Sequence, residues 1–537
     1  MNLAGAGSLW LALVAAIVSA AAFGAGAVLR RDRLALGGAW AACTAFVCLA
    51  FASIAFVRAL LVSDFSLRYV ATHTTLNLPA YYKYAAFWAG HAGTALFWCL
   101  ALSLWTALAA VTGRREYRAL TAWTSCVLAT MLTLFILVAL FATYPFAALP
   151  MAPQEGRGLG PWLQHVSLAL YPPSVYLGAL ASAVPFALTV AALATRRVGA
   201  SWAAAVARWT SLSLVLLTVG AVLGMWRAYA DPVTRDLWAR TPVASGAVLA
   251  WLTATVLLHT IATHRQWRAQ ATVNVTLSIV TFVFSVRAAL LVRNELVERV
   301  NALTVDTGSQ WIVACVAVAA AAAVFLAWIR RVHLGEALIS EVPAVSPRYA
   351  RIGGYVVHVG AAVLALAIAG HAFRQDHDFA VGPGSPHTLR DPFGREWVFS
   401  GQGVSTNQAF NREMLIAALR PERSGKPQPI VRSEASRYFD SFGRDIGDVV
   451  TRPGVLGSML QDVYVVAADA TPDGQAHIHL TFIPLMRLAW IGGCLMIFGG
   501  VVALGLRAPP PSEAEESAAR AEELVSRART GVSSAGA

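Results

Sequence analysis

Two histidines sit inside long apolar runs, where an ionisable side chain is costly and tends to mark function. His259 closes the run Val256-Leu257-Leu258-His259, about four residues before one end of its apolar stretch. His358 lies in Val356-Val357-His358-Val359, about six residues after the start of another. At 1.5 Å rise per residue, two such positions on oppositely directed helices differ in depth by only a few ångströms. Two imidazoles at one depth on neighbouring helices can ligate one haem iron from its two faces. The other reading is two unrelated histidines, each bonded to a backbone carbonyl or a neighbouring hydroxyl. Among the remaining histidines, His477-x-His479 has chelating spacing on a strand, but no third ligand accompanies it.

The elements that must hold such a pair are legible in the composition. The 537 residues are 57% hydrophobic and only 13% charged, and apolar runs recur along nearly the whole chain. About 20 apolar residues cover the roughly 30 Å of a bilayer's hydrocarbon. Within lipid the backbone must satisfy its own hydrogen bonds, so these runs are predicted to be helices. Spans fall near 3–29, 38–62, 85–111, 118–142, 172–195, 208–225, 243–263, 271–293, 310–330, 352–373 and 484–506. The first is too long for a signal-peptide core and lacks a preceding basic region, so it reads as a retained helix. The predicted class is an all-α polytopic membrane protein of about eleven transmembrane helices, with a small β-rich external domain before the last one. Residues 1–373 form the helical domain, 374–483 the external domain, 484–506 the last helix and 507–537 a cytoplasmic tail. Alternating apolar and polar residues at Glu396-Trp397-Val398-Phe399 and Val463-Tyr464-Val465-Val466 carry the strand prediction.

Basic residues concentrate in alternate short loops: Arg30, Arg31 and Arg33; Arg114, Arg115 and Arg118; Arg196 and Arg197; Arg265 and Arg268; Arg330 and Arg331. Those loops are predicted to face the cytoplasm, with the N-terminus outside and the C-terminus inside. The net charge of +12 is largely this bias. No basic stripe with interleaved aromatics points to nucleic acid. All six cysteines fall in apolar spans and none forms Cys-x-x-Cys, which excludes a c-type cytochrome or a thioredoxin-like enzyme. No phosphate-binding glycine loop and no nucleophile elbow is present.

Several segments resemble the CcmF family in order and spacing. They are Tyr69-Val70-Ala71-Thr72-His73, Leu78-Pro79-Ala80-Tyr81-Tyr82-Lys83, Trp88-Ala89-Gly90-His91-Ala92-Gly93-Thr94, Tyr171-Pro172-Pro173-Ser174-Val175-Tyr176, Leu257-Leu258-His259 and Val286-Arg287. The resemblance implies a bacterial inner-membrane subunit of a haem lyase, which attaches haem to apocytochrome c. It also implies a haem b between His259 and His358, which would take electrons from a quinol or another donor. Implied partners are a haem chaperone, a thiol-handling subunit and apocytochrome c. In the family a tryptophan-rich external loop and two external histidines hold the incoming haem. Here Trp226, Trp238 and Trp251 remain of that loop, but its Trp-Asp-Pro-Val-Glu-Asn core reads Arg240-Thr241-Pro242-Val243-Ala244-Ser245. Tyr171 stands where the first external histidine is expected, and Asn294, Glu295 and Leu296 where the second is. A phenolate at Tyr171, or Arg235 and Arg240 on haem propionates, are alternative ways of keeping the site. The implication favoured by these replacements is loss or change of the external site. The chain is then either an auxiliary haem b subunit or a membrane scaffold that kept the fold.

Overall fold

The computed structural model describes residues 2–113, 118–230, 242–262, 270–298, 307–336, 348–409, 411–439, 443–470 and 475–505. Fifteen helices run as α1 (Asn2–Leu29), α2 (Asp32–Leu61), α3 (Arg68–His73), α4 (Ala80–Ala85), α5 (His91–Gly113), α6 (Arg118–Val138), α7 (Tyr171–Ala181), α8 (Ala183–Thr195), α9 (Ala200–Tyr229), α10 (Pro242–Ala262), α11 (Gln270–Glu298), α12 (Thr307–Ile329), α13 (Arg331–Glu336), α14 (Arg348–His371) and α15 (Met486–Gly505). Between the last two stand β1 (Gln375–Val381), β2 (Pro386–Arg390), β3 (Glu396–Ala409), β4 (Arg412–Arg423), β5 (Lys426–Pro427), β6 (Val431–Phe439), β7 (Asp445–Arg452), β8 (Gly454–Gly457), β9 (Gln461–Ala470) and β10 (Ala476–Pro484).

Among the described residues ten helical stretches are long and apolar enough to cross a membrane, and a shorter apolar helix covers 246–262. That shorter stretch is where the sequence predicted its seventh span. The predicted span 172–195 consists of two helices, α7 and α8, that meet near Ser182. Pro185 explains part of this break, because proline cannot donate the hydrogen bond that would continue α7. The predicted tail 507–537 lies outside the described residues.

The label all-α fits the membrane part. The segment between α14 and α15 is ten strands in two antiparallel sheets, ordered β1-β10-β9-β8 and β2-β3-β4-β6-β7, with β5 on β4. Trp397, Phe399, Leu419 and Val431 of one sheet meet Val463, Val465, Leu480 and Phe482 of the other in a shared core. The strands alternate buried and exposed residues as a two-layer packing requires.

Strand β1 follows α14 after three residues, and β10 passes through Leu485 into α15. The end of the bundle from which they rise is termed the sheet end below. Helices α14 and α15 approach backbone to backbone: a Cβ on Gly492 would stand 2.7 Å from the Gly360 carbonyl oxygen, and one on Gly499 2.7 Å from that of Gly353. In lipid, where helix association depends on close packing, small residues permit this approach. The adjacent pair Gly493 and Gly500 seats Val222 and Val215 of α9. Thus α14 lies on α15, α15 on α9, and α9 on α10.

Candidate functional site

Helices α10 and α14 flank α9 and α15, and each carries one of the intramembrane histidines. The structure brings them together: the rings of His259 and His358 lie 5.8 Å apart between centroids, at 76° to one another. In each helix the imidazole Nδ1 bonds the carbonyl one turn back, His259 to Thr255 at 2.8 Å and His358 to Gly354 at 2.7 Å. A ring that donates from Nδ1 carries its lone pair on Nε2, the arrangement that metal-bound histidines use. A metal–imidazole bond is about 2 Å long, so one metal between two rings separates their centres by roughly 6 Å. The observed spacing fits that requirement.

Both histidines are exposed on the surface of the bundle. Their neighbours along the same helices are apolar and also exposed: Leu252 and Val256 on α10, Tyr355 and Val359 on α14. The pair therefore stands in an apolar setting at the flank. An apolar macrocycle with a central metal suits such a setting, with area burial holding the ring and the imidazoles holding the metal.

The residues implied for the external site are arranged differently. Tyr171 opens α7 and is buried, its ring lying across Gly224, where a Cβ would come within 2.8 Å of it. Trp226, near the end of α9, meets His165 edge-on at 5.6 Å. Trp251 points elsewhere: its indole N–H donates to Thr218, two turns back along α9 from Trp226, at 3.0 Å. Trp238, Arg235 and Arg240 lie outside the described residues. His165 caps a short 3-10 turn, with its Nδ1 accepting from the Ser167 amide at 3.1 Å. A neutral His165 thus carries its proton on Nε2 and presents a donor there, not a ligand.

His73, in the first of the Tyr69–Thr94 segments, is structural. His73 is buried, stacks on Tyr69 at 4.1 Å and bonds the Tyr69 carbonyl through Nδ1 at 2.9 Å. Burial pushes its pKa down to about 4. A Cβ at Gly90 would lie 2.4 Å from His73 Nε2, and one at Gly93 1.8 Å from the Phe87 carbonyl oxygen, so both positions require glycine. The Tyr69 hydroxyl donates to the Ala86 carbonyl at 2.8 Å and accepts the Gly90 amide at 2.9 Å. His91 opens α5 beside His73.

His477 and His479 do not build a metal site. His479 Nδ1 bonds Asp378 at 2.5 Å, His477 is exposed, and no metal-holding group of three His, Cys, Asp or Glu occurs among the described residues.

Sequence reasoning missed the groups that join the sheets to the bundle. The Tyr229 hydroxyl at the end of α9 donates to Asp462 at 2.9 Å, and Arg452 of β7 donates to the Gln164 carbonyl at 3.2 Å. Burial raises the Asp462 pKa, against the hydrogen bond from Tyr229 and the charge of Arg487. It also gave no role to Arg293, fully buried in α11, or to the Lys83 of the Leu78–Lys83 segment, whose ammonium donates to Ser63 at 2.7 Å and the Leu76 carbonyl at 2.9 Å. The only sequence signal for these was a charged residue next to an apolar run.

Ten apolar spans, a histidine pair at their flank and a two-sheet domain inserted before the last span define a multi-pass membrane protein. Residues 88–298 match the family described as Cytochrome C assembly protein, and the chain is CcmF-like in sequence. It is 35% identical over 245 residues to the cytochrome c-type biogenesis protein NrfE of Haemophilus influenzae, covering 46% of this chain and 39% of that one. It is 34% identical over 262 residues to CcmF of Pseudomonas aeruginosa, covering 49% and 40%. It is 33% identical over 302 residues to CycK of Bradyrhizobium diazoefficiens, covering 56% and 45%. The matched stretch spans about two fifths of the length of these relatives. The fold likeness is wider: a solved structure described as Cytochrome c Heme Lyase CcmF superposes with a TM-score of 0.71 at 21% identity, over 94% of this chain and 98% of that one.

Proposed function

We propose that this chain serves cytochrome c maturation as the haem b-containing membrane subunit of a haem lyase complex, assisting the reduction and attachment of haem to apocytochrome c. The observation that carries this reading is the facing of His259 and His358 across 5.8 Å, in a chain whose relatives are named cytochrome c-type biogenesis proteins. A haem b held there would supply one-electron chemistry. The chain's own contribution is positional. The Thr255 and Gly354 carbonyls fix both imidazole orientations. The exposed apolar side chains around them keep water from the metal's surroundings.

Quinol is the proposed electron donor. A haem chaperone, a thiol-handling subunit and apocytochrome c are the proposed partners. The proposed setting is the bacterial inner membrane, with the N-terminus outside and the C-terminus cytoplasmic, as the basic loops support. A partner subunit supplies the external haem-holding groups that Tyr171 and the altered tryptophan loop do not.

A second reading has its own support. The buried Tyr171 ring and the divergent directions of Trp226 and Trp251 suit a non-catalytic scaffold that kept the fold after losing external haem handling. An optical and pyridine-haemochrome spectrum of the purified protein decides between them. A b-type spectrum that both His259→Ala and His358→Ala abolish is the expected result. A folded but colourless wild type, produced with haem in excess, sinks the haem b assignment and leaves the scaffold.

A further inference from the structure

Two turns of the strand domain lie side by side at the sheet end, and both carry apolar residues at their tips. The first, Ser458–Gln461, joins β8 to β9 and closes on itself. The Ser458 amide donates to the Gln461 carbonyl at 3.0 Å, the Ser458 hydroxyl to the same carbonyl at 2.6 Å, and the Gln461 amide to the Ser458 hydroxyl at 3.2 Å. Gly, Pro, Asn, Asp and Ser dominate turn tips in water. Here the tip residues are Met459 and Leu460, 61% and 49% exposed. The second turn joins β2 to β3 and exposes Phe393 at 48%.

Asp391 ties the two turns together. Its side chain has no exposure. One oxygen accepts the amides of Phe393 and Arg395, and the other accepts from Arg395 Nε, Trp397 Nε1 and, across the gap, Gln461 Nε2 at 2.8 Å. Burial acts to raise the Asp391 pKa, and the hydrogen bonds from Trp397 and Arg395, with the charge of Arg395, outweigh it and hold it below the usual carboxylate range.

A backbone hydrogen bond sets the position of this assembly against α15. The Leu460 carbonyl accepts the amide of Leu485, the residue immediately before α15, at 2.8 Å. The tip therefore lies beside the first residue of α15, where that apolar span begins. Arg395 stacks on Phe393 at 5.0 Å, and Arg487 lies against Gly457 with its side chain half exposed. Arg487, at the rim of this apolar tip, is placed to pair with lipid phosphates while its stem follows apolar surface. The turn's own bonds occupy the Ser458 and Gln461 amides and the Gln461 carbonyl, and the Leu485 amide takes the Leu460 carbonyl, which lowers the cost of placing these groups in an apolar medium.

We propose that Phe393, Met459 and Leu460 form a wedge that inserts into the leaflet where α15 begins and seats the strand domain on the membrane surface. The occupant is the boundary between lipid headgroups and acyl chains. The reading is independent of haem and of the partners proposed above.

A fluorescent amino acid sensitive to its surroundings, placed by codon suppression at 459, 393 or the exposed position 408, at the other end of β3 from the Phe393 turn, tests this in the full chain in lipid nanodiscs. Lipid carrying a nitroxide near the headgroup end of its acyl chain is expected to quench more than half of the emission at 459 and 393. Little loss is expected at 408. All three sites are exposed, so the probe displaces no core packing. Unquenched, water-like emission at 459 and 393 overturns the proposal. So does equal quenching at all three, or emission shifted as in an apolar setting without lipid quenching, which marks a protein partner or a second copy instead.

Discussion

The histidine pair on α10 and α14 and the cluster around the end of α9 are built from similar residue types and reach opposite outcomes. Both contain imidazoles, aromatic rings and glycines. At the pair, each ring gives its Nδ1 proton to its own helix and carries its lone pair on Nε2, beside exposed apolar side chains. At the α9 end, His165 uses Nδ1 as an acceptor, and Tyr171 is packed against Gly224. On the function proposed above, the first region holds a haem, while the second packs the protein together. Residue type alone does not separate the two; the direction of one hydrogen bond does.

The largest test of this contrast is in haem content. His358→Ala is expected to lower bound haem at least about tenfold, since even outer-shell losses cost that much. His165→Ala is expected to leave it unchanged, measured by pyridine haemochrome per mole of protein. Equal loss in both variants would erase the distinction. Next in size is the seat of α14. Gly492→Leu forces a side chain against the Gly360 carbonyl. It is expected to destabilise the helix pair by about 3 kcal/mol and to loosen haem binding with it. Thermal unfolding in detergent, read together with the Soret band, reports both.

A third test reverses the sequence change at the external site. Tyr171→His restores the family's residue type but keeps the packed position. No second haem per chain is expected, and a second haem on titration with hemin would mean that the external site is latent.

The smallest effect concerns pH. The Asp462 carboxyl has a raised folded pKa, so the folded state binds its proton more tightly than the unfolded one does. Its effect on stability is therefore unfavourable as pH climbs from the ordinary carboxylate range through the raised value. Asp462→Asn is expected to flatten that decline while keeping the acceptor for Tyr229. Unfolding midpoints of the two proteins across mildly acidic pH would show it, and parallel profiles would contradict it.

The pair was legible before any coordinates because helix rise is constant. Counting from the ends of two apolar runs placed His259 and His358 at one depth, and only their facing had to be found. The glycines at 353, 360, 492 and 499 have a seven-residue spacing visible in the sequence, but spacing does not name the partner helix. The direction of Trp251 was not legible either. An indole in an apolar span can turn to either neighbour, and Thr218 on α9 decides it. Asp391 and Asp462 look like ordinary surface carboxylates in sequence. Their burial depends on strands and helices meeting from distant parts of the chain, as Gln461 and Tyr229 do.

The passage of α14 into β1 and of β10 into α15 has a mechanical consequence. The two helices are locked backbone to backbone, and the two strands are paired residue for residue from Gln375↔Phe482 to Val381↔Ala476. From His358 to His371 the helix extends about 20 Å. Strand β1 extends about 20 Å on the other side of the junction. The strand pair is thus a direct continuation of the helix pair, so the two-sheet domain and His358 are carried on one doubled stem.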